Sequence, residues 1–230
     1  MDKKKILVIC AQKEEFDGIF FEREKKIYQE DIYYLEEDNF IAYVATGGIG
    51  KTAIAYHLGR LLSVLKVDLI INTGVAGSLS KEVTPFDTFV STRAAYYDVD
   101  VRAFGYQLGQ MCGQPLYFEA DPKALRAAIN VGGDKIKTGL ILSGDNFITG
   151  KNIPSYLYTD FENPCAIDME SAAVAQVANM AHIPFLIIRS ISDDPNSESN
   201  NQDTYDNRLE DTCISAGRMT YHIIQEYSKR

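Results

Sequence analysis

Phe185-Leu186-Ile187-Ile188-Arg189-Ser190-Ile191 is an apolar run broken by a single cation, and two residues beyond it stands Asp193. Such a run, with Pro184 before it and Ser192-Asp193 after it, reads as a strand buried on both faces. An acid just past its carboxyl end occupies the edge where open α/β sheets hold ligands, although a helix N-cap is the plainer role. Elsewhere in the chain, Lys5 to Cys10 and Asp68 to Asn72 read as strands of the same kind, with Thr88 to Ser91 and Lys137 to Ser143 as further members. Ile32 to Tyr34 and Asn39 to Ala45 flank the acidic turn Glu36-Glu37-Asp38 as a hairpin, which makes the sheet mixed. Between the strands, Lys51 to Leu65 and Met169 to Ala181 carry apolar residues at helical spacing, and Arg208 to Tyr227 closes the chain as a last helix. The alternation predicts one α/β domain over residues 1–230, with no low-complexity linker and no internal repeat. The polar stretch Asp193 to Asn207 reads as a lid or binding loop.

Composition narrows the function. The 230 residues are 46% hydrophobic, and 23 Lys and Arg against 32 Asp and Glu give a formal charge of −9. A chain of this size buries roughly 70% of its extended surface, so its core needs no disulfide or metal staple. Nucleic acid is an unsuitable partner, because phosphate binding draws on clustered cations and only Lys3-Lys4-Lys5 forms a basic run. Cys10, Cys112, Cys165 and Cys213 show no C-x-x-C spacing, and His57, His182 and His222 stand apart from them, so a zinc site is not expected. No segment approaches the roughly 20 apolar residues of a membrane helix, and the apolar run after Lys5 is short for a signal peptide. The expected compartment is the cytoplasm, with reduced thiols.

Ala45-Thr46-Gly47-Gly48-Ile49-Gly50-Lys51-Thr52 ends in the Gly-Lys-Thr of phosphate-binding P-loops. Ala45 stands where the first glycine of that motif belongs, and Leu69 to Ile71 runs into Asn72 rather than a magnesium-binding Asp. The glycine turn before a helix still offers backbone N–H groups to an electronegative ligand.

Three acids carry the chemistry. Glu15 follows the first strand in Ala11-Gln12-Lys13-Glu14-Glu15, where the bland reading is a solvated carboxylate in the first turn of a helix. Glu170 opens an alanine-rich apolar helix, where a charge must find a hydrogen-bond partner or a ligand. Asp193 is the acid at the strand edge.

At these residues the chain resembles the nucleoside phosphorylase superfamily, and within it the 5′-methylthioadenosine/S-adenosylhomocysteine nucleosidases. The likeness runs in order through Ala11 to Glu15, Gly48-Ile49-Gly50-Lys51, Asn72-Thr73-Gly74-Val75-Ala76-Gly77, Asp98-Val99-Asp100, Ala103-Phe104-Gly105-Tyr106, Phe118-Glu119-Ala120-Asp121, Ser143-Gly144-Asp145, Met169-Glu170 and Ile191-Ser192-Asp193. The resemblance implies a three-layer α/β/α sandwich around the mixed sheet, a homodimer, and cofactor-free hydrolysis of an adenine nucleoside thioether, a reaction of methionine salvage. It implies that Glu15 activates water, that Asp193 protonates the leaving adenine, and that Arg189 helps to orient the water. Glu170 and Met169 would hold the ribose, Phe147 and the Ile148 backbone the base. Ile49, Met169 and Tyr205 would line the alkylthio pocket, Phe104 would enter from a partner subunit, and Ala76, Gly77 and Ser192 would complete the substrate site. Val75, Tyr97 and Asp168 stand where the family commonly has Ser or Thr, His, and Glu, so water placement and substrate can differ.

Independently of the resemblance, glycosidic cleavage through an oxocarbenium-like state is helped by one acid on the leaving group and one base for water. By the resemblance, a phosphorylase of the superfamily would need a cationic cradle for inorganic phosphate where this chain carries Lys13-Glu14-Glu15 and Asn72 before Thr73-Gly74, and a carboxylate facing phosphate would repel it, which favours hydrolysis over phosphorolysis. Open alternatives are a paralogue for another adenosine derivative such as 5′-deoxyadenosine, a nucleoside-binding protein of weak catalysis, and a P-loop ATPase.

Overall fold

The structure is a computed structural model and describes residues 3–194 and 201–229. Its described strands are β1 (Lys4–Cys10), β2 (Lys26–Gln29), β3 (Ile32–Glu36), β4 (Phe40–Thr46), β5 (Leu69–Ser78), β6 (Thr88–Tyr96), β7 (Phe118–Glu119), β8 (Ile136–Ser143), β9 (Pro164–Asp168) and β10 (Phe185–Asp193). The α-helices are α1 (Lys13–Ile19), α2 (Lys51–Val64), α3 (Pro122–Gly132), α4 (Ser171–Ala181) and α5 (Asn201–Tyr227). None of the described helices is long and apolar enough to cross a membrane.

The sheet is mixed, as the hairpin predicts. β1 lies between β4 and β5, parallel to both, and β5 is parallel to β10. β3 pairs antiparallel with β4, and β10 pairs antiparallel with β6. From β6 the ladder continues through β8 to β9, which returns to β5 by antiparallel pairing of Gly77 with Ile167 and Ser78 with Ala166. Strands β5, β10, β6, β8 and β9 therefore close on one another, and the ends of β5, β9 and β10 converge.

Strand alternation builds the layers. Leu7 and Ile9 of β1 face Ile54, Leu58 and Leu61 of α2 and the alanines of α4. Ile6, Val8 and Cys10 face Phe16 and Ile19 of α1, Ala124 and Ala128 of α3, and Ile223 and Ile224 of α5. The same period of two divides β10, with Ile187 on one face and Leu186 and Ile188 on the other. Each such Ile or Leu side chain contributes about 1.5–3 kcal/mol by burial, which outweighs the weak propensity of any one segment.

Several boundaries differ from the sequence expectation. β5 runs on past Asn72 to Ser78 because β10 pairs along Gly74 to Gly77 and β9 along Gly77 and Ser78. β6 likewise reaches Tyr96, held by β8. The polar stretch Asp193 to Asn207 is not one loop: Asp193 ends β10 and α5 begins at Asn201, seven residues before Arg208, while residues 195–200 lie outside the described residues. β9 and the exposed β2 are not foreseen from sequence, being short and without a clean apolar pattern.

Helices α1 and α5 cross with their backbones in contact. A Cβ on Gly217 would run into the backbone of Gly18 and Ile19, and one on Gly18 into the Cys213 carbonyl. This crossing sets α1, and with it Glu15, against the sheet. Gly217→Ala gains about 1 kcal/mol of helix propensity. The intruding methyl meets backbone rather than a flexible side chain, so about 1–3 kcal/mol of overpacking prevails. The expected result is a Tm lower by a few degrees in a thermal melt; an unchanged or higher Tm would refute the tight crossing.

Candidate active site

A cavity of about 270 Å³ opens where these strand ends meet. It is lined by Ala11, Gln12 and Glu15 after β1, by Val75, Ala76 and Gly77 of β5, and by Asn146, Phe147 and Ile148 after β8. Ile167 to Glu170 after β9, Ser192 and Asp193 of β10, Ile49, and Tyr205 of α5 complete the wall.

Glu15 lies in the first turn of α1 but is only 6% exposed, so the solvated reading fails. Its Oε2 accepts from the Ala11 and Gln12 backbone N–H groups at 2.7 and 3.2 Å, and its Oε1 from Val75 N–H at 3.1 Å. Burial raises its pKa, opposed by the Arg189 charge and by these three bonds. A side chain on Gly74 would collide with this carboxylate, so β5 passes close beneath it only because residue 74 is glycine.

Asp193 is 3% exposed, and a register shift between Ile191 and Asp193 marks an irregularity that re-aims the end of β10. Its Oδ1 accepts from Ser192 Oγ at 2.7 Å. Ser192 Oγ also lies 3.3 Å from the Ala76 carbonyl; its single proton serves the nearer acceptor. Glu170 is buried at the start of α4, and its Oε1 accepts from Gly50 N–H at 2.8 Å. Burial, reinforced by the charge of Asp168, pushes its pKa to about 8.

Beneath the cavity Arg189 is 2% exposed, and its guanidinium donates to Asp168 Oδ2 at 2.7 Å and 3.0 Å, to the Asn72 and Ile188 carbonyls, to the Asn72 side chain, and to Ser171 Oγ. Arg189 does not line the cavity. Asp168 Oδ1 in turn accepts from Ser143 Oγ at 2.6 Å and from Ser171 N–H at 3.2 Å, which anchors the first turn of α4.

Phe147 packs edge-on against Tyr205, with ring centroids 5.6 Å apart. Ile148 and Ala76 are buried in the wall, whereas Met169 is half-buried and Ile49 largely exposed. Phe104 is not brought to the cavity: it stands 77% exposed in the turn Arg102–Phe104. Sequence reasoning missed Gln12, Asn146, Ile167 and Asp168 as wall residues. Gln12 and Asp168 lay within segments already singled out, but nothing in their spacing marks them.

The glycine turn is not a phosphate cradle. Gly50 N–H is committed to Glu170, Lys51 N–H to Asp145 Oδ1 at 2.8 Å, and Lys51 Nζ to Asp98 at 2.6 Å. Among the described residues no group of three or more His, Cys, Asp or Glu is arranged to hold a metal ion.

Residues 5–227 match the sequence model of the phosphorylase superfamily. A crystal structure from Borrelia burgdorferi, bound to adenine and described as a candidate 5′-methylthioadenosine/S-adenosylhomocysteine nucleosidase, is 34% identical with a TM-score of 0.87, covering 96% of this chain and 99% of that one. The chain belongs to this nucleosidase family of the phosphorylase superfamily. A Haemophilus influenzae nucleosidase of the same name is 40% identical over 149 residues, just under two thirds of either protein at 64% of this chain and 65% of that one. A Helicobacter pylori futalosine hydrolase shares the frame at a TM-score of 0.89 and 26% identity, covering 97% of this chain and 98% of that one.

Within the family frame, Tyr97 packs in the core and its hydroxyl donates to the Asn146 carbonyl at 3.3 Å, steadying a wall segment. The raised Glu170 has a measurable consequence. Because its folded pKa lies above the ordinary carboxylate value, its contribution to stability is complete at acid pH and lost as pH climbs toward about 8. Ligand-free Glu170→Gln is therefore expected to gain stability relative to the parent chain between pH 5 and pH 8 in parallel thermal melts. A difference flat with pH would contradict the raised value.

Proposed function

We propose that this chain hydrolyses the N-glycosidic bond of 5′-methylthioadenosine and S-adenosylhomocysteine, releasing adenine and the thioribose. The observation that carries this reading is that Glu15, Glu170 and Asp193, all buried, line one cavity of about 270 Å³. In the mechanism Glu15 is the base for the attacking water. Its elevated pKa makes it a better base than an exposed carboxylate, while three backbone N–H groups and Arg189 favour its ionised form. Asp193 donates the proton that loosens adenine. Glu170 holds the ribose hydroxyls above Met169, and Phe147 with Ile148 takes the base. As the bond lengthens the sugar gains positive charge, and Glu15 and Glu170 lower the energy of that state. Arg189 acts from behind the wall, setting Asp168 and biasing Glu15.

Hydrolysis is preferred to phosphorolysis on the same geometry. Of the described side chains lining the cavity, none is Lys, Arg or His. The guanidinium of Arg189 is turned to Asp168, Asn72, Ile188 and Ser171. Adenine release is measured in phosphate-free buffer with each nucleoside and with 5′-deoxyadenosine. Release that requires added phosphate, or none at all, would refute the reading. Asp193→Asn and Glu15→Gln should each lower kcat by about 10²–10⁴-fold, the usual worth of general acid or base catalysis. A variant retaining most of its kcat would remove that residue from its role.

The protein acts in the cytoplasm as a homodimer in this reading. The groove lined by Tyr56, Met111 and Met180 and the exposed Phe104 are the apolar surfaces that a second copy covers. Sedimentation at micromolar concentration should give twice the chain mass; a monomer would overturn the dimer and the entry of Phe104 into a neighbouring site.

A further inference from the structure

Although the Gly-Lys-Thr turn is no phosphate cradle, its lysine stands next to the group that holds Glu170. Gly47, Gly48 and Gly50 make up three of the four residues before Lys51. Gly48 and Gly50 adopt φ of +82° and +89°, a region that favours glycine, and a turn so rich in glycine has little stiffness of its own. From this turn Gly50 N–H donates to Glu170 Oε1 at 2.8 Å, and among the described residues no other hydrogen-bond donor reaches that carboxyl group. A buried acid hung on one donor of a soft turn keeps its place only if the turn is tied down elsewhere.

Lys51 ties the end of that turn to the loops after β6 and β8. Its backbone N–H donates to Asp145 Oδ1 at 2.8 Å, and its ammonium lies 2.6 Å from Asp98 Oδ2 and 3.7 Å from Asp145 Oδ2. The same ammonium sits 5.5 Å from the centroid of the Tyr96 ring, within cation–π reach. Asp145 N–H completes the circuit by donating to Asp98 Oδ2 at 3.1 Å. Asp98 Oδ1 is buried with no hydrogen-bond partner among the described residues, so the charge of Asp98 is met chiefly by Lys51. Removing one partner of such a pair leaves the other uncompensated. Helix α2 has no side-chain cap at Gly50 and no acid in its first turn, and Glu170 and Asp145 serve its leading N–H groups instead. The base wall has ties of its own: Tyr97 Oη donates to the Asn146 carbonyl at 3.3 Å, and Asn152 Nδ2 to the Phe147 carbonyl at 2.9 Å.

We infer that Lys51 is a positioning residue for the ribose: its ion pair with Asp98 and its bond to Asp145 fix the glycine turn, and the fixed turn presents Gly50 N–H to Glu170. The inference rests on the placement of the ribose on Glu170 proposed above. Its test measures, by calorimetry, the affinity of adenine and of the 7-deaza analogue of 5′-methylthioadenosine, which resists hydrolysis because its ring lacks the nitrogen that takes the proton. In Lys51→Met the analogue should bind about five- to tenfold more weakly, the worth of one hydrogen bond, while adenine keeps its parent affinity. Lys51→Arg retains the cation and should recover most of the loss. Asp98→Asn breaks the same ion pair from the other side and should weaken the analogue alike, which carries the test if Lys51→Met does not fold. Equal weakening of both ligands would signal a general loosening of the cavity and overturn the role. Parent affinity in Lys51→Met, or an arginine variant as weak as the methionine one, would overturn it too. A parent chain that holds the analogue yet releases adenine from no nucleoside would overturn the hydrolytic reading alone.

Discussion

The site depends on one buried ion pair. Arg189 and Asp168 meet at 2.7 Å with side chains 2% and 3% exposed, and neither charge has water to turn to. A pair so buried is tolerated only when its remaining donors and acceptors are also met, and removing one partner typically costs about 3–5 kcal/mol. Here Ser143, Ser171 and Asn72 complete the shell. The pair thereby fastens together β10, the end of β9, the middle of β5 and the first turn of α4. Glu170 follows Asp168 by two residues and inherits its position. The pair is a constraint on geometry more than a source of stability, because the desolvation it demands offsets most of its attraction.

The charge distribution above that pair follows from where its cation is placed. Arg189 is screened from the cavity, while four carboxyl-bearing residues line it, Glu15, Asp168, Glu170 and Asp193. An anionic ligand would meet acids and no facing cation; a neutral ribose hydroxyl would meet acceptors, and a sugar gaining positive charge would meet the most favourable potential of all. The same enclosure raises Glu15 and Glu170. Their environments differ, however: Glu15 has three backbone donors, and Glu170 has one donor and the nearby charge of Asp168. That inequality fits the proposed division of roles, in which Glu15 is the ionised base and Glu170 the more readily protonated neighbour.

Much of the frame was legible because strand periodicity and burial are local signals. β1, β4, β10, α2 and α4 stand within a residue or two of where their apolar patterns end. Asp193 and Glu170 could be singled out as charges abutting apolar elements. What was not legible depends on tertiary partners. Thr73 to Ser78 looks like a turn, with Gly74 and Gly77 in it, yet it is a strand because neighbours on both sides complete its ladder. Asn201 to Asn207 is too polar to suggest a helix until α5 is anchored farther along by its apolar half. Lys51 looks like a phosphate ligand, and only the fold reveals that Asp98 and Asp145 already hold it. Gln12 carries no pattern at all, since its partner lies 193 residues away.

Position 75 illustrates how this site tolerates change. The resemblance leads to the expectation of Ser or Thr there, and valine offers no side-chain hydrogen bond to water. The hold on Glu15 is unaffected, because residue 75 contributes its backbone N–H at 3.1 Å, which every residue except proline supplies. Gly74 is different in kind: its lack of a side chain is what admits the Glu15 carboxylate against β5. Adjacent positions on one strand are thus constrained by unlike means, one through steric exclusion and the other through a donor common to nearly all residues. In the proposed hydrolysis, Val75 leaves the attacking water to be placed by Glu15 and the apolar wall, so the burden of orienting it would fall on the carboxylate and the backbone clamp that fixes it.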